Sequence, residues 1–323
     1  MHCELVVPGL LSVLTEARYP ALELLLARGR REGSDSLTLE QWLHEAFEQP
    51  GDALAAGALG LAASGAEAGD GWWARADPVH LRALRDRAVV APAEALQISA
   101  EEAAELVSAL NRHFAGTAAF HTLGPLRWVA SFTAEKSFLQ KPAIEAAGRD
   151  VASARGGEAL LTEIQMLLHA HPVNEAREAR GEPAVNSVWL WGAGRLPAEA
   201  QGPWRSVAAS DPSALGLAQL AGMRRFALPA SAAAWLVQLP EEGRHLAVLD
   251  ALRAPVALEQ QAEYEEAVEA LERLWFEPLL GALRAGRVGM VTVRAPDTGA
   301  GVETVRGDLR RFWRRPRAIG RYA

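Results

Sequence analysis

The sequence predicts an α/β fold built on a mainly parallel sheet with helices on both faces. Three observations carry that expectation. Short runs rich in apolar, β-branched and aromatic residues recur at "CELVV", "RWVASF", "SVWLW", "HLAVL" and "VGMVTV", each of strand length. Segments of helical period lie between several of them, and a strand, helix, strand rhythm joins parallel strands through crossovers. The chain has 323 residues and is 50% hydrophobic, enough to bury one large core or two moderate ones without a metal or a disulfide framework.

From the N-terminus, "CELVV" is the first strand and Pro8-Gly9 breaks it into a turn. The stretch lacks a basic leader and contains Glu4, so it reads as strand and turn rather than signal peptide. "AASGAEAGDG", residues 62–71, is a linker of small, turn-forming residues. "GGEALLTEIQMLLHAHP" is a helix that stops before Pro172, because the residue preceding a proline is driven out of the helical region. Pro172 then opens a short helix and Gly181 ends it. "NSVWLWG" follows as a strand with Ser187, Trp189 and Trp191 on one face. "GAGRLPAEAQGP", residues 192–203, is a second linker. From about Leu258 to Phe276, Tyr264, Val268, Leu271 and Trp275 keep helical spacing, while Glu263, Glu266, Glu269 and Glu272 occupy other faces. Pro278 can open a further turn of helix, and Gly286 can close it before "VGMVTV". The two linkers divide the chain into a core, residues 1–70 and 199–323, and a domain of residues 71–198 inserted into it.

Charge narrows the partners. A formal net charge of -7 argues against a general polyanion binder, so nucleic acid is not expected. No apolar run reaches the roughly 18 residues of a membrane helix. Cys3 is the only cysteine, which excludes an intramolecular disulfide and fits the reducing cytoplasm. The C-terminal stretch "DLRRFWRRPRAIGRYA" is basic, with seven arginines against two acids from Glu303 onward. It is expected to form a final helix, with Asp308 near its start and its arginines pairing with the acidic helix that carries Glu263 and Glu272. The alternative is a tail for an anionic partner, with Phe312 and Trp313 available for stacking.

Chemistry-bearing residues are sparse. His169 and His171 lie two apart across a helix end and share no helical face, and nothing beside them completes a zinc set. Trp72 and Trp73 stand beside Arg75, Asp77 and His80; such a pair can bind a sugar or base, although core packing is the commoner use. There is no phosphate loop and no defensible Ser-His-Asp set. On the residues alone, Asn174 is a capping residue, Arg177 and Arg180 are solvated, and the tryptophans pack between layers.

The spacing His171-Pro172-x-Asn174-x-x-Arg177-x-x-x-Gly181-x-Pro183-Ala184-x-Asn186, followed by Trp191-Gly192-Ala193-Gly194, resembles the archaeal-type cofactor-independent phosphoglycerate mutases. It also resembles a bacterial branch labelled RpfE-type regulatory proteins. "YPALELLLARGRR" is similar to the family's first helix, and "WARADPVHL" with "ISAEEAAELVSALN" to its inserted domain. The resemblance implies an alkaline-phosphatase-like core with a mutase-like α/β insert. It also implies a chemistry in which two divalent metals about 4 Å apart clamp the attacking and leaving oxygens around a Ser or Thr nucleophile.

The positions that match the family's motifs are degenerate. Where the family ends its first strand in a metal-binding Asp, this chain has Pro8. In "GDALAAGALG", Gly51 stands at the nucleophile and Asp52 is kept. "DALRA" retains Asp250 but ends in Ala254 where a histidine is required, and the late Asp-His pair becomes Pro296-Asp297. The family draws three metal-binding histidines from the part of the chain after the insert, whereas only His245 follows His171 here. Trp191 takes the place of a substrate-grasping arginine and trades a phosphate fork for an apolar surface. His121, Arg127, Asn174 and Arg177 remain as candidate anion-binding groups. The resemblance therefore implies a phosphoglycerate-mutase-like pseudoenzyme with no metal and no cofactor, which binds a phosphorylated or carboxylated small molecule or a protein partner, with a regulatory role. The alternatives are an active metal-dependent phosphomutase or phosphatase and a non-catalytic scaffold.

Overall fold

The computed structural model describes residues 1–83, 88–138, 141–147, 158–239 and 242–322. Twelve strands run through them: β1 (His2–Val6), β2 (Arg30–Gly33), β3 (Trp72–Ala83), β4 (Ala88–Ala91), β5 (Ala118–Gly124), β6 (Arg127–Phe132), β7 (Ser187–Gly194), β8 (Ser206–Ala209), β9 (Arg224–Ala227), β10 (Arg244–Val248), β11 (Met290–Ala295) and β12 (Ala300–Val305). The chain is mixed α/β and divides into two compact units, one of Met1–Glu48 with Glu199–Ala323, the other of Gln49–Ala198. The first boundary thus falls at Glu48 rather than near residue 70. The helix Ala56–Ala63 is the reason: it belongs to the second unit, and its Gly57 abuts the Ala74 backbone of β3 with no room for a Cβ.

The first unit holds a seven-stranded sheet in the order β2-β12-β11-β1-β10-β8-β9. From β11 to β9 all neighbours are parallel, whereas β12 runs antiparallel to both β11 and β2. Strands covered on both faces carry near-continuous apolar runs, which is why "CELVV" and "HLAVL" show little alternation. On one face Cys3, Leu5, Ala247, Val291 and Val293 meet helix residues such as Leu22, Tyr264, Val268 and Leu279. Burying each large apolar side chain contributes about 1.5–3 kcal/mol.

The acidic helix runs Gln261–Leu271, widens into a π-turn at Glu272–Phe276 and continues as Glu277–Ala285, where Gly286 closes it at φ +76°. Pro278 stands in the first turn of that last α-helix, which is entered from the π-turn through residues that are themselves helical. A proline lacks a donor and its ring clashes with the carbonyl four residues back, and the wider turn before it absorbs both. The Glu272 carboxylate leaves this turn to accept the N–H groups of Ala21 (2.5 Å) and Leu22 (3.0 Å), capping the helix Pro20–Arg28, which has no side-chain cap of its own.

The final helix expected from the sequence does not form. Short 3₁₀ turns at Arg306–Arg310 and Ile319–Arg321 take its place, and the arginines dock on the C-terminal end of Pro20–Arg28 instead of the acidic helix. Arg311 donates to the Arg28 carbonyl (3.2 Å) and Arg314 to that of Gly29 (2.7 Å). Carbonyls at a helix C-terminus lack intrahelical donors and carry the negative end of the helix dipole, so cations are favoured there.

In the second unit β3 is the hub. It pairs antiparallel with β6 over Trp72–Arg75, with β7 between Trp73 and Val79, and with β4 over His80–Ala83; β5 completes the sheet beside β6. Pro78 sits where the β6 pairing has ended and the β4 pairing has not begun, so its missing donor leaves no ladder incomplete on that side. One face packs Ala74, Ala76, Trp128, Ala130 and Leu190 against Leu106, Leu110, Ile164 and Leu168. Those residues lie on the helices Ala100–His113, entered through a Ser99–Glu102 capping box, and Glu158–His169, whose expected start at residues 156–157 lies outside the described residues. No helix among the described residues is long and apolar enough to cross a membrane.

Candidate functional site

In an open parallel sheet, loops gather at the carboxyl ends of the strands and form the usual ligand crevice. In the first unit those loops carry Pro8 and Gly9 after β1, Ser210 after β8, Asp250 after β10, and Pro296 and Asp297 after β11. Pro8 is buried, and Gly9 takes φ +87°, a backbone conformation that strains any side chain, with Val256 and Leu252 close to where a Cβ would stand. Asp297 uses both carboxylate oxygens locally. Oδ1 accepts the Gly9 N–H at 2.8 Å, and Oδ2 accepts the Ser12 hydroxyl. Asp250 accepts the Ser210 hydroxyl at 2.7 Å. Ala254 lies in the short helix Arg253–Ala257, whose Arg253 reaches the buried carboxylate of Glu40 at 2.9 Å.

Hard divalent cations require several oxygen or imidazole ligands converging with free lone pairs. Among the described residues no three His, Cys, Asp or Glu side chains stand together as such a set. Pro8, Ala254 and Pro296 offer no ligating side chain, and Asp297 already accepts a donor on each oxygen. The positions at this edge that match the family's motifs thus bring no convergent ligand set together among the described residues. Gly51 and Asp52 belong to the second unit and are exposed there, with Gly51 at φ +86°.

Two further nucleophile candidates, Cys3 and Ser206, are closed off by burial. Burial pushes the Cys3 thiol up to about 12, so the thiolate required for attack does not form near neutral pH. Ser206 Oγ lies 2.8 Å from His245 Nδ1, the spacing of a hydroxyl and its base, but both side chains are fully buried at the amino-terminal ends of β8 and β10. That pair satisfies two polar groups inside the sheet.

The second unit divides the four candidate anion ligands. Asn174 is 1% exposed, donates to the carbonyls of Leu168 (2.8 Å) and Val185 (2.9 Å), and accepts the Val185 N–H (2.8 Å). Arg177 is wholly buried rather than solvated: Nε donates to the Pro183 carbonyl (2.9 Å), Nη2 to that of Leu96 (2.5 Å), and Nη1 pairs with Glu102 (2.7 Å). These two residues tie loops together and have no face toward a ligand, which corrects the expectation drawn from their spacing. Burial raises the Glu102 carboxyl, but the Ser99 N–H and the guanidinium groups of Arg180 and Arg177 outweigh it and hold the group below the usual carboxylate range. His171 does cap the helix Pro172–Ala179, its Nδ1 accepting the Val173 N–H at 3.2 Å. Desolvation depresses its pKa, which keeps the imidazole a neutral acceptor.

His121 and Arg127 fall elsewhere. His121 pairs with Val129 in the β5–β6 ladder, and Arg127 is two residues from Val129, so all three side chains share one face of the sheet. The ring of Trp73 lies 5.6 Å from that of His121 on this same face. His121 is exposed and Arg127 half-buried. Farther along the face, Trp191 donates its indole N–H to Asp77 (2.6 Å), Arg75 pairs with Asp77, and the Arg75 guanidinium stands 5.4 Å from the Trp191 ring centroid. Trp191 is therefore a hydrogen-bonding member of a buried polar triad and not a plain apolar surface. Sequence reasoning noted Arg75 and Asp77 without linking them to Trp191; the alternation of β3 was the available signal, once "WWARADPVHL" was taken as a strand despite its proline.

These features define an α/β chain with a mainly parallel sheet, a second unit inserted within it, and a sheet edge whose acids are bound up in hydrogen bonds. No family model matches the chain, and no curated protein sequence matches it. Among solved structures it is similar to the PH0037 protein from Pyrococcus horikoshii, with a TM-score of 0.58 and 15% identity over 94% of this chain and 86% of that one. That likeness shows the fold. The structural neighbours also include a cofactor-independent phosphoglycerate mutase from Thermoplasma acidophilum DSM 1728, at 17% identity over 94% of this chain and 90% of that one, with a TM-score of 0.42, a level from which nothing further follows.

Proposed function

We propose that this chain is a phosphoglycerate-mutase-like protein, with an alkaline-phosphatase-like core, that has lost two-metal phosphotransfer and works by binding a ligand or partner in a regulatory role. One observation carries the reading. Asp297, which matches a metal-binding position of the family, has both carboxylate oxygens committed to Gly9 and Ser12. Each oxygen keeps a further lone pair, but the matching positions that would have to supply the other ligands hold Pro8, Ala254 and Pro296, which have none to offer. The degenerate positions Pro8, Gly51, Ala254 and Pro296 point the same way. The ligand-facing groups in this reading are His121, beside Trp73, and Arg127 on the same face of the sheet, whose side-chain types suit a phosphate or carboxylate.

The test is to incubate the chain with Mn, Zn or Mg, remove excess metal, and measure bound metal and turnover of 3-phosphoglycerate. The expected outcome is neither stoichiometric metal nor turnover, in the wild type or in Gly51→Ser, because a serine hydroxyl with no metal or base beside it stays protonated. A panel of phosphorylated and carboxylated metabolites should contain one that raises the melting temperature by mass action in the wild type but not in His121→Ala/Arg127→Ala. One or two equivalents of tightly held metal with turnover would establish an active phosphomutase or phosphatase instead. No binder in the panel would favour a protein partner or a scaffold.

A further inference from the structure

Arg311 and Arg314 bind the carbonyls at the end of Pro20–Arg28, and Arg30 is neutralised by Glu32 (2.7 Å) and Glu303 (2.6 Å). Arg31, Arg315 and Arg317 are left over. Arg31 lies against the Tyr322 ring at 5.3 Å, and the side chains of Arg315 and Arg317 make no hydrogen bond or ion pair among the described residues. All three are exposed and line one groove of about 750 Å³, together with Trp313 and Tyr322 and without a carboxylate side chain among the described residues of its lining. Concentrating like charge in a concave surface is unfavourable unless an anion occupies it.

The aromatic content of the groove narrows the anion. Trp313 is 66% exposed and its neighbour Phe312 76%, the two rings 5.3 Å apart and edge to face. Neither ring is buried in a core. An exposed indole beside guanidinium forks presents the two surfaces that a planar base and its phosphates require: a face for stacking and bidentate donors for oxyanions. The volume matches a small-molecule site, whose usual range is about 300–1,000 Å³. We propose that this groove binds a nucleoside polyphosphate, with Arg31, Arg315 and Arg317 on the phosphates and Trp313 against the base. The site lies wholly in the first unit and is independent of the reading given for His121 and Arg127.

Calorimetric titration of the intact chain with ATP, GTP and tripolyphosphate at physiological ionic strength tests this. At least one nucleotide should bind at one equivalent, and Arg315→Ala/Arg317→Ala should weaken it by about tenfold or more, since two charge-assisted contacts are lost. Arg284→Ala/Arg287→Ala removes the same charge from exposed positions outside the groove and should leave affinity unchanged. Trp313→Ala should weaken the nucleotide and leave tripolyphosphate unaffected. All these side chains are exposed, so unchanged far-ultraviolet dichroism is expected in each variant. Absence of saturable binding, equal losses in the two double variants, or no effect of Trp313→Ala on the nucleotide would overturn the proposal. So would a single-stranded oligonucleotide that displaces the nucleotide from these arginines with higher affinity, because the groove would then belong to a polymer.

Discussion

Arg177 shows how a single residue is misjudged when only its spacing is known. A guanidinium on a short polar helix looks solvated, or available to a phosphate, yet this one is fully buried on two carbonyls and Glu102. The groups that enclose it come from Leu96 and Pro183, in loops that no local pattern brings together. Arg177→Ala should destabilise the second unit by about 3 kcal/mol, the lower end for one half of a buried ion pair, because Glu102 keeps Arg180 at 2.6 Å. Denaturant titration would show it as a lower midpoint at an unchanged slope. Glu4 makes a related point. Burial alone would raise its carboxyl, but hydrogen bonds from Arg244 (2.8 Å), Arg294 (2.6 Å) and Trp204 (2.7 Å), with the two charges, hold it below the ordinary value of 4.5. It therefore binds fewer protons folded than unfolded. Its stabilisation is fully present above pH 4.5 and drains as pH falls through the folded value. Equilibrium unfolding at a series of pH values should show the loss of stability on acidification shrinking in Glu4→Gln relative to wild type.

At the scale of elements, two helix glycines with opposite surroundings give a paired test. Gly57, in Ala56–Ala63, lies against the backbone of Ala74, which cannot move without disturbing β3. Gly57→Ala should cost about 1–3 kcal/mol by overpacking. Gly281, in Glu277–Ala285, is exposed, and a Cβ there would meet nothing within 4 Å. Gly281→Ala should gain about 0.4–1 kcal/mol, mainly by restricting the unfolded chain. Thermal melts of the two variants should shift in opposite directions. Five of the twelve strands were legible. "CELVV", "RWVASF", "SVWLW", "HLAVL" and "VGMVTV" are all strands, and Pro172, Gly181 and Gly286 punctuate helices as their chemistry dictates. The longest strand escaped notice because Pro78 marks a break by every local rule, and only the gap between the β6 and β4 pairings makes it tolerable. The edge strands Arg30–Gly33 and Arg224–Ala227 escaped because their side chains are mostly exposed and carry no apolar signature.

For the whole molecule, the two units have separate cores, and the second is continuous in sequence. A fragment of residues 49–198 should therefore melt cooperatively on its own, and a broad, non-cooperative melt would show that its core is insufficient. The mainly parallel sheet was foreseeable from strand rhythm, but the order of its strands was not, since register and neighbours depend on contacts far apart in sequence. That order has a temporal consequence. β1 occupies the middle of its sheet, and its neighbours β10 and β11 begin at Arg244 and Met290. A ribosome adding about 5–20 residues per second leaves the first strand unpaired for roughly 10–50 s, long enough for the inserted unit to emerge and fold before the sheet that surrounds it in sequence can close. For that interval β1, buried in the middle of the finished sheet, has neither of its neighbours to cover it.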